Sequence, residues 1–330
     1  MSNAELPQIE LASLSDVGRQ RSANQDSYGQ FTNPQGWRLL VVADGLGGHQ
    51  GGETASRIAV ETIQDVFERG GASPAEVLRE AFQAANRCIY ETASRTLELR
   101  GMGTTGVALL LDGAEAAWVA HVGDSRAYRL RDNVLEALTK DHSAATQLVE
   151  EAGMTPQEAQ ESPNSHVLLR AVGVEPEVEV EVKPVSLSPG DRFLLCSDGL
   201  WGEVPDADIA EVLVHHGPED AVHILVAEAN NHGGPDNITV QVAKISGTTE
   251  PTIEVSEEDA APAPVVLPPR RARRYRATVT AAVLTALLIA ALLWHLLNTQ
   301  KVQIPWPTLP PVAAPVSPTE APAESDVQQP

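Results

Sequence analysis

The chain has 330 residues, is 42% hydrophobic and carries a formal net charge of -22. Length and composition suit one globular enzyme domain with additional segments, and the negative charge excludes a nucleic-acid partner, which would need clustered Lys and Arg to displace counterions. The two cysteines, Cys88 and Cys196, stand far apart with no Cys/His metal spacing, so zinc is excluded and a reducing compartment fits. The first fourteen residues lack the basic segment and apolar run of a secretory signal.

In chain order, apolar or alternating runs predict strands at Ile9–Leu14, Leu39–Ala43, Gly106–Leu111, Ala116–Val122, Ala127–Leu130, Val178–Val182, Phe193–Cys196 and Ile238–Val242. The Asp112-Gly113 pair between two apolar runs reads as a hairpin turn and carries no functional expectation. Two consecutive helices separate the early strands from the middle ones. In the second, Ser73-Pro74-Ala75-Glu76 combines a capping box with Pro at the first helical position. Leu78, Phe82, Ala85 and Ile89 then make one apolar stripe that should pack on a sheet. Further helices are expected near Ala144–Glu151, Asp206–Val214 and Glu219–Ala229. Short connections favour antiparallel pairing, and paired helices favour coverage of the outer faces. The expected fold is α+β: a four-layer α-β-β-α sandwich of two antiparallel sheets flanked by helices, over residues 1–246.

Residues 247–276 mix Glu, Asp, Pro and Ala and end in an Arg cluster, a composition too poor in apolar surface to fold. Residues 277–297 contain no Asp, Glu, Lys or Arg. At roughly 1.5 Å per residue this segment spans about 31 Å, the thickness of a bilayer core, so one C-terminal transmembrane helix is expected. Five arginines precede it and only Lys301 follows closely, which places the N-terminal side in the cytoplasm of a single-pass inner-membrane protein. Residues 298–330 form a Pro-rich exported tail.

A set of aspartates carries the chemistry. Apolar strands deliver Asp44-Gly45 and Asp198-Gly199, Asp124 follows His121-Val122-Gly123, and Asp236-Asn237 precedes the last strand. Strand ends hold a carboxylate on a rigid element, and hard ions such as Mg2+ or Mn2+ take oxygen ligands. One Asp-Gly is usually a turn; the expectation rests on four converging carboxylates. Gly45-Leu46-Gly47-Gly48 offers a nucleotide-binding reading, but it lacks GK[ST] and does not satisfy GxGxxG.

Together, Arg21-Ser22-Ala23-Asn24-Gln25-Asp26, Asp44-Gly45-Leu46-Gly47-Gly48-His49, Gly101-Met102-Gly103-Thr104-Thr105, Gly123-Asp124-Ser125-Arg126, Ser197-Asp198-Gly199 and Gly234-Pro235-Asp236-Asn237 resemble, in order, the motifs of bacterial PP2C-type (PPM) protein serine/threonine phosphatases. Leu138-Thr139-Lys140-Asp141-His142-Ser143 and the stretch from His166 to Gly173 also match. The resemblance implies hydrolysis of phosphoserine and phosphothreonine by metal-activated water without a phosphoenzyme, using two Mn2+ or Mg2+ ions with a position for a third. It implies that Asp44 bridges two ions, with the Gly45 carbonyl as an extra ligand. By the same resemblance Asp198 and Asp236 would complete the other ion's protein ligands, and Asp124 with Asp198 looks like the third position.

Arg21 matches the phosphate-binding arginine, whose planar fork suits phosphate oxygens. Gln25 stands where eukaryotic relatives have a glutamate ligand, so Asp26 acts through water, with Asn237 also behind the ligands. His49 follows an extra Gly-Gly relative to the eukaryotic proton donor, and both a general-acid and a structural role stay open. The implied partners are phosphorylated proteins and a Ser/Thr protein kinase. The alternative from another class is a catalytically weak phosphoprotein-binding or regulatory module on the same fold.

Overall fold

The apolar run Leu39 to Ala43 lies in strand β3 (Arg38–Leu46), which is buried on both faces in the computed structural model. Leu39, Val41 and Ala43 join one hydrophobic cluster, Leu40 and Val42 another. Alternate residues face opposite sides of a sheet, so a strand covered on both sides must be apolar throughout. The structure describes residues 8–113, 116–155, 158–159, 162 and 167–246, excepting the side chain of His49. Among them no helix is long and apolar enough to cross a membrane, and the expected span 277–297 lies outside them.

Two antiparallel sheets result. One orders β1 (Gln8–Asp16), β11 (Ile238–Ser246), β10 (Arg192–Cys196), β7 (Arg126–Arg131) and β8 (Val134–Ala137). The other orders β2 (Asp26–Thr32), β3, β5 (Gly106–Leu111), β6 (Ala116–Val122) and β9 (Glu181–Ser186), with the short β4 (Gly103–Thr104) pairing to the end of β3. Helices α1 (Gly48–Arg69) and α2 (Pro74–Arg95) cover the second sheet through Phe67, Phe82 and Ile89. Helices α5 (Asp206–His215) and α6 (Pro218–Asn231) cover the first through Leu213 and Leu225, which pack with Leu194 and Val240. Leu109, Phe193 and Leu195 fill the layer between the sheets.

The start of α2 follows its sequence signals. The Ser73 hydroxyl accepts the Glu76 N–H at 3.3 Å, and Leu78, Phe82, Ala85 and Ile89 are all fully buried. Burying one such ring stabilises by roughly 2–3 kcal/mol.

Besides the short strands β4 and β8 and a 3-10 turn at Leu97–Leu99, three elements differ from expectation. Asp26–Thr32 is a strand that its polar residues and Gly29 concealed; the ladder with β3, Asp26 opposite Asp44, defines it. The Val178–Val182 pattern reports packing along its whole length but pairing only at its end, where Glu181 and Val182 face His121 and Ala120. Val180 is buried with Val178 and Val182 against the same cluster, but β9 begins at Glu181 and runs through Pro184. A proline is tolerated there because β9 is an edge strand. Helix α3 (Ala144–Ala152) lies where the sequence expects it, and the third difference is a single helical turn, α4 (Asp198–Trp201), inside the Ser-Asp-Gly motif.

The layer between the sheets turns polar at one end. Thr239 and Gln241 of β11 are fully buried yet reach across to the other sheet, at Asp26 and the Gly29 carbonyl. The candidate site lies at that end.

Candidate active site

Asp44 is fixed through its backbone. Its N–H donates to the Thr105 hydroxyl at 3.0 Å, and its carbonyl accepts from the Thr105 N–H at 2.8 Å and the Thr104 hydroxyl at 2.7 Å. A side chain on Gly45 would collide with the carbonyls of Gly52 and Gln25, so only glycine lets three backbone segments meet beside Asp44. Burial pushes the Asp44 carboxyl well above the usual range, and Asp198, Asp26, Asp124 and Asp236 push the same way. Both sheets bring aspartates to this place: Asp26 lies opposite Asp44 in the ladder of β2 with β3, and Ser197, between β10 of the other sheet and Asp198, bonds to Asp26.

The other carboxylates share this environment. Asp26 lies behind Asp44, its Oδ2 accepting from Thr239 at 2.7 Å and Ser197 at 2.8 Å. Burial, with Asp198 and Asp236 adding, raises it to about 7 against those two bonds. Asp198 is raised by burial and by Asp236. Burial, then Asp198 and Asp141, pushes Asp124 up to about 7. Asp26 Oδ1 and Asp198 Oδ1 are buried with no hydrogen-bond donor among the described residues. Such a group of carboxylates requires protons or cations to be stable, and its oxygen donors fit hard divalent ions such as Mg2+ or Mn2+.

Arg21 comes to this cluster on the loop between β1 and β2. Its Nη2 donates to Asp236 Oδ2 at 2.7 Å with half of the side chain exposed, so its charge is placed at the mouth of the site. Asn237 holds the loop: its Oδ1 accepts the Gln25 N–H at 2.8 Å, and its Nδ2 donates to the carbonyls of Val17 and Ala23, each at 3.0 Å. Arg19 N–H adds a bond to the Gly234 carbonyl at 2.8 Å. Gly18, at φ +80°, has no room for a side chain against the Asp236 carbonyl. His49 lies in the first turn of α1; its side chain lies outside what the structure describes.

Asp124 sits in the turn from β6 to β7, which crosses between the sheets. His142 Nδ1 accepts the Gly123 N–H at 3.1 Å, the Ser125 and Thr105 hydroxyls meet at 2.7 Å, and Trp201 Nε1–H donates to the Asp124 carbonyl at 3.0 Å. Of these supporting residues, Thr105, Ser125 and His142 lie within the matching motifs without an assigned role, and Trp201 lies outside them. His121, His142 and Glu181 form a second group of potential metal ligands, among the described residues. It reads better as a brace. The imidazoles are stacked at 4.6 Å and 19°, His121 Nε2 already faces the Lys140 carbonyl at 2.9 Å, and His142 Nε2 already meets Glu181 Oε1 at 3.0 Å.

Comparison with known proteins agrees with this geometry. A family profile described as protein phosphatase 2C matches residues 18–225, a span that holds Arg21, Asp26, Asp44, Asp124 and Asp198 and stops short of Asp236. The serine/threonine phosphatase stp of Listeria monocytogenes is 38% identical over 231 residues, covering 68% of this chain and 91% of its own. The serine/threonine phosphatase of S. agalactiae superposes with a TM-score of 0.69 at 34% identity, over 72% of this chain and 100% of that one. The catalytic domain of the phosphatase PstP in complex with two manganese ions gives 0.65 at 36% identity, over 72% and 99%. With its two antiparallel sheets, outer helices and convergent aspartates, the chain belongs to the protein phosphatase 2C family of metal-dependent serine/threonine protein phosphatases.

Proposed function

We propose that the chain hydrolyses phosphoserine and phosphothreonine in proteins, opposing Ser/Thr kinases, from a site that takes two Mn2+ or Mg2+ ions and a third more weakly. The observation that carries this reading is the convergence of Asp44, Asp124, Asp198 and Asp236, all partly buried, with a donor-free Asp198 oxygen among them. When bound, the ions supply an activated water and positive charge for the phosphoryl oxygens. Asp44 would hold two ions at once with the Gly45 carbonyl beside it; Asp198 and Asp236 would complete that pair, and Asp124 with Asp198 would hold the third.

Arg21 binds the substrate phosphate, offering its fork at the mouth of the site and exchanging the Asp236 contact for phosphate oxygens. Asp26 keeps Ser197 and Thr239 in place behind the ligands and can hold a proton near neutral pH, because burial raises it to about 7. His49 is the candidate proton donor to the leaving alcohol. The complete carboxylate set favours a catalyst over a binding module that kept only the fold.

The domain layout supports a tethered enzyme: a catalytic region to residue 246, a linker to 276, a membrane span over 277–297 and an exported tail. The charge asymmetry about that span sets the catalytic region in the cytoplasm. Release of inorganic phosphate from a phosphothreonine peptide tests the activity. Turnover is expected with Mn2+ and none with EDTA; turnover undiminished by EDTA would overturn the metal reading, and none with either ion would overturn the activity.

A further inference from the structure

Trp201 closes the single turn of helix that Asp198 opens, so the indole and the Asp198 carboxylate leave one short, rigid element. The indole reaches the other carboxylate loop twice. Its Nε1–H donates to the Asp124 carbonyl at 3.0 Å, and the Arg126 guanidinium lies 3.6 Å from the centroid of its ring. Arg126 is itself clamped, with two bonds to Asp141 at 2.9 and 2.7 Å and one to the Tyr128 hydroxyl at 3.0 Å. A bidentate carboxylate pair fixes the plane of a guanidinium, and a fixed plane fixes the ring stacked on it. Asp198 and Asp124 are thus joined by a closed path of rigid contacts through Trp201 and Arg126. Neither Asp44 nor Asp236 lies on that path.

We propose that Trp201 and Arg126 are positioning residues that set the spacing of Asp124 and Asp198, and thereby the affinity of the third-ion position, independently of the ion pair at Asp44 and Asp236. The proposal rests on the reading of Asp124 and Asp198 as that third position. A ring that served packing alone would contact the apolar cluster beneath it, as Trp201 also does, but would not need its only donor aimed at the carbonyl of a ligand residue.

The test is calorimetric titration of the full-length chain, in detergent, with Mn2+ alone. Trp201→Phe keeps the ring and removes the donor. It should leave the two tighter ions unchanged and weaken the third about fivefold, the weight of one net hydrogen bond. Arg126→Lys, which keeps the charge and loses the planar fork, should act in the same direction and serves if the first variant folds poorly. In an Asp124→Ala background, Trp201→Phe should change nothing further. An equal loss at all ions, or the same loss in the Asp124→Ala background, would show a general structural role and overturn the proposal. If Asp124→Ala abolishes the weakest ion while neither variant weakens it, the positioning role alone fails. If Asp124→Ala keeps that ion, the third-ion reading fails and the proposal with it.

Discussion

Replacing Asn237 by Ala should destabilise the domain and loosen the Arg21 loop while leaving every carboxylate in place. Its side chain is only 4% exposed and makes three hydrogen bonds, one to the Gln25 N–H and two to the carbonyls of Val17 and Ala23. At about 1 kcal/mol net for each bond, the loss is about 3 kcal/mol. In a domain of this size that lowers Tm by about 6 to 12 °C. The three bonds tie both ends of the loop that carries Arg21, so the same change should raise KM for a phosphothreonine peptide severalfold, with a smaller change in kcat. Asn237→Asp keeps the acceptor for Gln25 but replaces both donors with charge beside Asp236, and should destabilise further. Thermal denaturation in EDTA and steady-state kinetics measure both effects. An Ala variant that melts within about 2 °C of wild type and keeps its KM would refute this role for Asn237.

Arg21→Ala should raise KM with little effect on Tm, because the side chain is half exposed and its one ion pair is at the surface; an unchanged KM would remove the phosphate role. Stability without metal should fall as pH rises. Asp26 and Asp124 titrate near 7 when folded, against an ordinary value of 3.8. Between about pH 4 and 7 the folded chain therefore holds more protons than the unfolded one, and its advantage is lost as pH climbs through that window. In EDTA the Tm should be higher at about pH 5.5 than at about pH 8, and the reverse order would contradict the buried cluster. A chain ended near Gly247 should be soluble and active, while a reporter fused after Pro330 should report the exported side. A full-length chain soluble without detergent would defeat the tether and leave the phosphatase assignment intact.

Which features could be read in the sequence follows from how local their causes are. Leu39–Ala43 and Phe193–Cys196 announced themselves because strands covered on both faces must be apolar at every position. Asp26–Thr32 did not, since an edge strand with Tyr28 exposed carries a mixed pattern. The valines at 178, 180 and 182 signalled packing correctly but not the start of the hydrogen-bonded ladder, at Glu181. In the site, Asp44, Asp124, Asp198 and Asp236 stood out through motif order, and the structure brings them together. Thr239 and Trp201 lie outside the motifs, and Thr105 and Ser197 lie within them with no role assigned from the sequence. A hydroxyl bonded to a partner 171 or 213 residues away, as Ser197 and Thr239 are to Asp26, leaves no local trace.

The most direct test of the site is the turnover of a phosphothreonine peptide by Asp44→Asn at saturating Mn2+. Asp44 is the carboxylate that Asp198, Asp26, Asp124 and Asp236 all push upward, and the change removes its charge while keeping its size and its backbone bonds to Thr104 and Thr105. Loss of an electrostatic group at such a centre should lower kcat by about a hundredfold or more, with folding intact by circular dichroism. Near wild-type turnover in this variant would contradict the assignment of the aspartate cluster as the catalytic metal site.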